Sequence, residues 1–191
     1  MKTSIIFHSV SGNTYLCARE IYKAVASCSG AENVDIYRVE DRKIDYLKND
    51  YPIIAELYDE INSVKLASNS VLLESDFIIM GSPTYFGNVS SQLKDFLDDT
   101  AVFWESADLF GKKFLSFTTA GNSQGGADIC LKTLNNYASH MGMIPYSVPS
   151  NLEIKMPAYG LVHFTGTLSD QRPCEDFKRA TNECIKKLLH I

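Results

Sequence analysis

The chain has no apolar run approaching the roughly 20 residues of a membrane span, and its first segment reads as a strand, not as a signal peptide. No two of its five cysteines (Cys17, Cys28, Cys130, Cys174, Cys184) form a C-x-x-C pair, and its four histidines are equally scattered. A zinc or iron–sulfur site needs clustered ligands, so no metal is expected. An odd number of dispersed thiols fits reduced, partly buried cysteines better than a disulfide framework. Neither G-x-G-x-x-G nor a Walker lysine follows the first strand, which excludes the usual dinucleotide fingerprint and the P-loop. Positive charge is also short. Lys and Arg number 18 against 23 Asp and Glu, a net charge of −5, which argues against a nucleic-acid binder. These absences leave a soluble, cytoplasmic protein without membrane or nucleic-acid partners as the expectation.

What is present is an alternation. Its 191 residues, 45% hydrophobic, are enough for one α/β domain spanning 1–191. Short runs of β-formers recur at Thr3 to Phe7, Val34 to Val39, Phe77 to Met80, Phe114 to Thr118 and, weakened by Pro145, Ile144 to Val148. Between them lie helical stripes: Ala18, Ile21, Tyr22, Val25 and Cys28; Leu93, Phe96 and Leu97; Ile129 to Met141; and a last one on Phe177, Ala180, Cys184, Ile185 and Leu188. The stretch from Asp41 to Leu73 is polar with an irregular stripe and reads as a loop followed by a helix. Five strand–helix alternations demand right-handed crossovers and a parallel sheet covered on both faces. The prediction is α/β, a flavodoxin-like doubly wound five-stranded parallel sheet of order 2-1-3-4-5. Ligands in such folds bind outside the carboxyl ends of strands 1, 3 and 4, where the winding reverses.

Three loops fall at those ends. The first, Ser9-Val10-Ser11-Gly12-Asn13-Thr14, offers hydroxyls and the amides of a helix N-terminus and contains no Lys or Arg. That suits a phosphate held by neutral donors, while a plain capping turn is the competing reading. The second, around Pro83-Thr84-Tyr85-Phe86-Gly87-Asn88, sets two aromatics in a loop where nothing local buries them. They offer a stacking surface for a flat ligand, or one ring plugs the sheet edge. The third, Thr118-Thr119-Ala120-Gly121 through Gly125-Gly126, is glycine- and hydroxyl-rich and able to wrap a heterocycle. Asp95, Asp98 and Asp99 read as a solvated helix face. No Ser-His-Asp or Cys-His nucleophile arrangement can be argued.

The loops taken together resemble those of flavodoxin-fold FMN proteins, and most closely the tryptophan-repressor-binding-protein family of NAD(P)H:quinone oxidoreductases. The more specific segment runs from Gly81-Ser-Pro-Thr-Tyr-Phe-Gly-Asn88 through Gln92, Phe96-Leu97-Asp98 and Thr100 to Trp104 and Gly111-Lys112. Further similarity lies at Phe117 to Gly126, His140-Met-Gly-Met143, and Ala158 to Pro173. The resemblance implies FMN, with its phosphate on Ser9, Val10, Ser11, Gly12, Asn13 and Thr14. Pro83, Thr84, Tyr85, Phe86, Gly87 and Asn88 would hold the isoalloxazine. Thr118, Thr119, Ala120, Gly121, Gly125 and Gly126 would close over it. Trp104 matches an aromatic of the substrate pocket, though it equally suits a core or subunit-interface anchor. His140 matches a flavin-edge histidine, though it equally suits a surface residue on a helix dipole. Tyr85 stands where the family usually has Arg, which removes a positive charge near the site.

The activity implied is hydride transfer from NAD(P)H through FMN to a quinone or similar flat acceptor, in a homo-oligomer (dimer or tetramer). The alternative is a flavodoxin-type electron carrier serving a protein partner. The segment from Asn151 to Pro173 adds a wall or a subunit contact.

Overall fold

The computed structural model describes residues 1–149 and 156–189. Its parallel sheet has the order β2-β1-β3-β4-β5, with β6 also paired to β4. The strands are β1 (Thr3–Phe7), β2 (Val34–Arg38), β3 (Phe77–Pro83), β4 (Lys113–Ala120), β5 (Ile144–Pro145) and β6 (Leu161–Phe164). The expected order is therefore present, and the central strands β1 and β3 are buried on both sides. Alternation along each strand sorts side chains between two cores. Ile5, Phe7, Phe77, Ile79, Leu115 and Phe117 face the core shared with α1 (Asn13–Ser29) and α8 (Glu175–Leu189). Ile6, Ile78, Met80 and Phe114 face the core shared with α6 (Ser91–Asp99) and α7 (Ala127–His140). Each fully buried aliphatic or aromatic side chain stabilises by about 1.5–3 kcal/mol.

The fifth position of the sheet departs from the expectation of five strands. The strand read from Ile144 to Val148 makes ladder contacts only at Ile144 and Pro145, which pair with Lys113 and Phe114. The Tyr146 amide makes one more bond, to the Phe114 carbonyl at 2.8 Å, and the chain then leaves β4, the Val148 amide turning to the Ala158 carbonyl. That would leave the functional end of β4 as an open edge. Leu161–Phe164 covers it, pairing with Phe117–Ala120 in parallel.

The helices follow from their apolar faces. In α1, Cys17, Ala18, Ile21, Ala24 and Val25 are buried, and Gly30 at φ +89° stops the helix. In α8, Phe177, Ala180, Cys184, Ile185 and Leu188 are buried. Glu175 and Asp176 sit in its first turn and Lys186 and Lys187 in its last, both favourable to the helix dipole. The irregular stripe after Asp41 folds into four short helices: α2 (Ile44–Asp50), α3 (Pro52–Ala55), α4 (Tyr58–Ser63) and α5 (Asn69–Glu74). Gly81 lies where a Cβ would come within 2.1 Å of the Phe117 ring, so β3 and β4 meet side chain to backbone at the point where the loops begin. Among the described residues no helix is long and apolar enough to cross a membrane.

Candidate functional site

The loops after β1, β3 and β4 converge, and threonines tie them together. The Thr14 and Thr119 hydroxyls lie 2.9 Å apart, joining the first loop to the third. Thr84 joins the second to the third twice, through its amide to the Thr119 carbonyl at 2.7 Å and its hydroxyl to Thr118 at 2.9 Å. The Thr118 hydroxyl donates in turn to the Ser82 carbonyl at 2.7 Å. Gly126, at φ +80°, approaches so closely that a Cβ there would stand 2.7 Å from the Gly87 Cα. The loops form one rigid mouth.

Inside it is a cleft of about 530 Å³ bordered by Val10, Ser11 and Thr14 from the first loop, Pro83, Thr84 and Tyr85 from the second, and Thr119, Ala120 and Gly121 from the third. Its outer walls are Leu47, Tyr51, Ile53 and Ile54 on one side and Thr165, Thr167, Leu168 and Ser169 on the other. None of these side chains is charged. Beside it lies a second chamber of about 540 Å³, sharing Val10, Leu47 and Tyr85 and completed by Lys43, Phe86, Asn88, Val89, Ser91, Gln92, Lys94 and Thr133. A larger cavity of about 700 Å³ lies on the side of α8 and β6, lined by residues such as Asp128, Val162, His163 and Phe177, away from the first two loops.

The first loop meets the test for a phosphate. Gly12 takes φ +89° as the N-cap of the 17-residue α1 and has no side chain with which to cap it. The Ser9 Oγ accepts from the Tyr15 amide at 3.2 Å, but among the described residues the amides of residues 10–14 meet no acceptor. Five adjacent unpaired donors at the positive end of a helix make a concave anion site. The second loop presents a flat surface. Tyr85 and Asn88 exchange backbone hydrogen bonds of 2.8 and 2.9 Å across a two-residue turn in which Phe86 has φ +51° and Gly87 φ +73°. A phenylalanine seldom takes that conformation; this one does so with its ring fully exposed.

Other residues named from the sequence lie outside the cleft walls. The Asn13 side chain turns from the mouth and donates to the Ser169 carbonyl at 2.6 Å. Ser9, Gly12, Gly87, Thr118, Gly125 and Gly126 shape the loops from behind. Trp104 is exposed in a turn beyond α6 and borders neither chamber. His140 ends α7, about 20 Å along the helix from the mouth, where Gly142 accepts from the Gly111 amide at the opposite end of the sheet. Sequence reasoning missed Leu47 and Tyr51, whose roles arise from folding back over the mouth. The stretch from Thr165 to Ser169 belongs to the segment read as a wall or a subunit contact, of which residues 151–155 lie outside the described residues, and it borders the cleft.

One buried hydrogen-bonded pair stands at the edge. His8 at the end of β1 lies 3.0 Å from Asp41, and both side chains are buried. Burial alone would raise the Asp41 carboxyl; hydrogen bonds from His8, the Lys43 amide and Gln92 prevail and hold it at about 2. Burial pushes the Cys17 thiol well up, raises that of Cys130 and lifts that of Cys184 to about 11. These thiols stay protonated and serve packing, with none poised as a nucleophile. Among the described residues no group of three or more His, Cys, Asp or Glu is placed to hold a metal.

Comparison with known proteins agrees with this geometry. A quinone NAD(P)H dehydrogenase of Archaeoglobus fulgidus is 31% identical over 187 residues, covering 98% of this chain and 95% of its own. One from Chromohalobacter salexigens is 29% identical over 185 residues, covering 92% and 89%. Among solved structures, a WrbA-like flavodoxin from Agrobacterium tumefaciens superposes with a TM-score of 0.70 at 19% identity, covering 99% of this chain and 95% of that one. Flavodoxin 2 of Bacillus cereus superposes at 0.60 and 20% identity, with full coverage of both chains. The family model described as NADPH-dependent FMN reductase matches residues 1–152. With that match spanning most of its length, the chain belongs to the NADPH-dependent FMN reductase family.

Proposed function

We propose that the chain is an FMN-dependent NAD(P)H:quinone oxidoreductase whose cofactor occupies the uncharged cleft. The observation that carries this reading is the row of unpaired amides at the head of α1, opening into a cleft with no charged wall. Bound FMN supplies the ring that accepts and returns a hydride. The protein binds, orients and shields it. The amides of residues 10–14, with the Ser11 and Thr14 hydroxyls, take the phosphate. Pro83, Thr84 and Tyr85 would border the ring on one side, and Thr119 to Gly121, held by Gly125 and Gly126, on the other. Backbone N–H groups of these loops would stabilise negative charge at the polar edge of the bound ring. No protein acid or base is required, in keeping with cleft walls that carry no His, Asp, Glu, Lys or Arg.

The second chamber receives the passing substrates. Phe86 and Tyr85 give a surface for a nicotinamide or a quinone to stack on. Lys43 and Lys94 are its two cations and suit the phosphates of NAD(P)H, replacing the positive charge that Tyr85 does not provide. Trp104 and His140 take no part within one chain. Trp104 instead joins Val102 and Phe110, all exposed, as apolar surface for a homo-oligomer, dimer or tetramer. Five cysteines free of disulfides support a cytoplasmic location, and the whole chain works as a single domain. The test is steady-state oxidation of NADH and NADPH with benzoquinone by FMN-loaded protein. Turnover that depends on both substrates is expected. Retained FMN with negligible turnover would replace this reading with an electron carrier.

A further inference from the structure

We infer that Arg172 is the positioning residue of the phosphate loop, holding its amides toward the cleft from outside and supplying the cation that the loop lacks. The inference rests on the FMN reading above. It starts from an oddity of the site: a dianionic phosphate is assigned to a loop with no Lys or Arg and a cleft with no charged wall. Arg172 is 161 residues from Ser11 in sequence, yet its Nη1 donates to the Ser11 carbonyl at 2.9 Å and reaches Asn13 Oδ1 at 3.3 Å. Its Nη2 donates to Glu56 at 2.6 Å. Arg172 borders the 700 Å³ cavity beside α8 and not the cleft. It therefore grips the loop from the far side.

The direction of that grip matters. A trans peptide unit is planar, with its C=O and N–H pointing opposite ways. Holding the Ser11 carbonyl against Arg172 turns the Gly12 N–H away from it, to the side where Ser11 and Thr14 border the cleft. Two further contacts lock the arrangement. Asn13 Nδ2 donates to the Ser169 carbonyl at 2.6 Å, and Leu57 fills the place a Gly12 Cβ would take, with its Cδ1 at 2.4 Å. Arg172 joins all three segments: the loop, the α3–α4 turn through Glu56, and the stretch leading into α8. Glu56 is more than half exposed and the guanidinium about a quarter, so water weakens the carboxylate's field at the loop more than that of the guanidinium, which touches the loop directly. A lysine could not reproduce this, since the fork engages the loop and Glu56 at once through separate nitrogens.

The test is a comparison of FMN with riboflavin, which lacks the phosphate, by fluorescence titration of apo-protein for wild type, Arg172→Gln and Arg172→Lys. The expected result is FMN binding weakened at least about tenfold in R172Q and by a smaller factor in R172K, with riboflavin changed less than about threefold in both. A merely structural role would weaken both ligands alike, and that result, or unchanged FMN binding, overturns the inference. Thermal unfolding of the apo-proteins runs alongside; should R172Q fail to fold, R172K alone decides, FMN weakened more than riboflavin supporting the inference and equal or no weakening overturning it. Wild type binding neither flavin overturns the FMN reading, and this inference with it. Wild type binding FMN as tightly as R172Q does overturns this inference alone.

Discussion

The two chambers of the cleft share Val10, Leu47 and Tyr85 but are built on opposite terms. The first is walled by hydroxyls, backbone and aliphatic side chains without charge, and its three loops are bonded to one another through Thr14, Thr84, Thr118 and Thr119. The second carries Lys43 and Lys94 and the fully exposed Phe86 ring on a strained turn. A pre-organised, desolvating pocket suits a molecule that stays; exposed cations and an uncovered ring suit molecules that come and go. On the function proposed above, the difference divides a resident cofactor from its passing partners. Asp41 stands between the two, accepting from His8 beside the first loop and from the Lys43 amide beside the second chamber.

Breaking the first chamber has the largest expected effect. Gly126→Ala places a Cβ 2.7 Å from the Gly87 Cα at φ +80°, so the second and third loops must part. A loss of about 2–3 kcal/mol in urea unfolding is expected, with FMN retention on desalting abolished or nearly so. Next comes Asp41. Its carboxyl is held at about 2, below the ordinary value, so its stabilisation is fully present above about pH 4 and is lost as pH falls through about 2. Asp41→Asn is expected to lower stability by roughly 2 kcal/mol at pH 7 and to differ little from wild type at pH 2, by urea titration at both values. Thr14→Val removes the tie to Thr119 and leaves that hydroxyl short of a partner, for about 1 kcal/mol; FMN affinity falls with it. Lys43→Ala sharpens the comparison from the other side. KM for NAD(P)H rises about three- to tenfold, as loss of one exposed charge contact implies, while the FMN dissociation constant stays put. His140→Ala, at the far end of α7, leaves flavin affinity unchanged.

Much of this was legible in the chain. The β-former runs gave β1 to β4 because buried parallel strands need uninterrupted apolar segments, and the loops after Phe7, after Gly81 and after Phe117 stand at the mouth that the winding predicts. What escaped depends on distance in sequence. Leu161–Phe164 is too short to announce a strand, and only the edge left open where the chain leaves β4 after Tyr146 gives it a role. The stretch after Asp41 shows Ile53 and Ile54 as apolar but not that they wall a cleft, since four short helices have no sustained period. The Asn13 side chain looks like one more phosphate ligand until the Ser169 carbonyl is seen beside it, leaving only the Asn13 amide for that role. Arg172 touches its loop across 161 residues, which no local pattern records. His140 sits in a motif-like segment, yet the length of α7 carries it away from the site.

The central claim is that the uncharged cleft holds FMN and that NAD(P)H reduces it there. The measurement that meets it most directly is the visible spectrum of the purified protein after saturation with FMN and desalting, followed by anaerobic addition of NADH or NADPH. The account predicts a retained flavin spectrum, close to one equivalent per chain, that bleaches on adding the nucleotide. A colourless protein after desalting would contradict it.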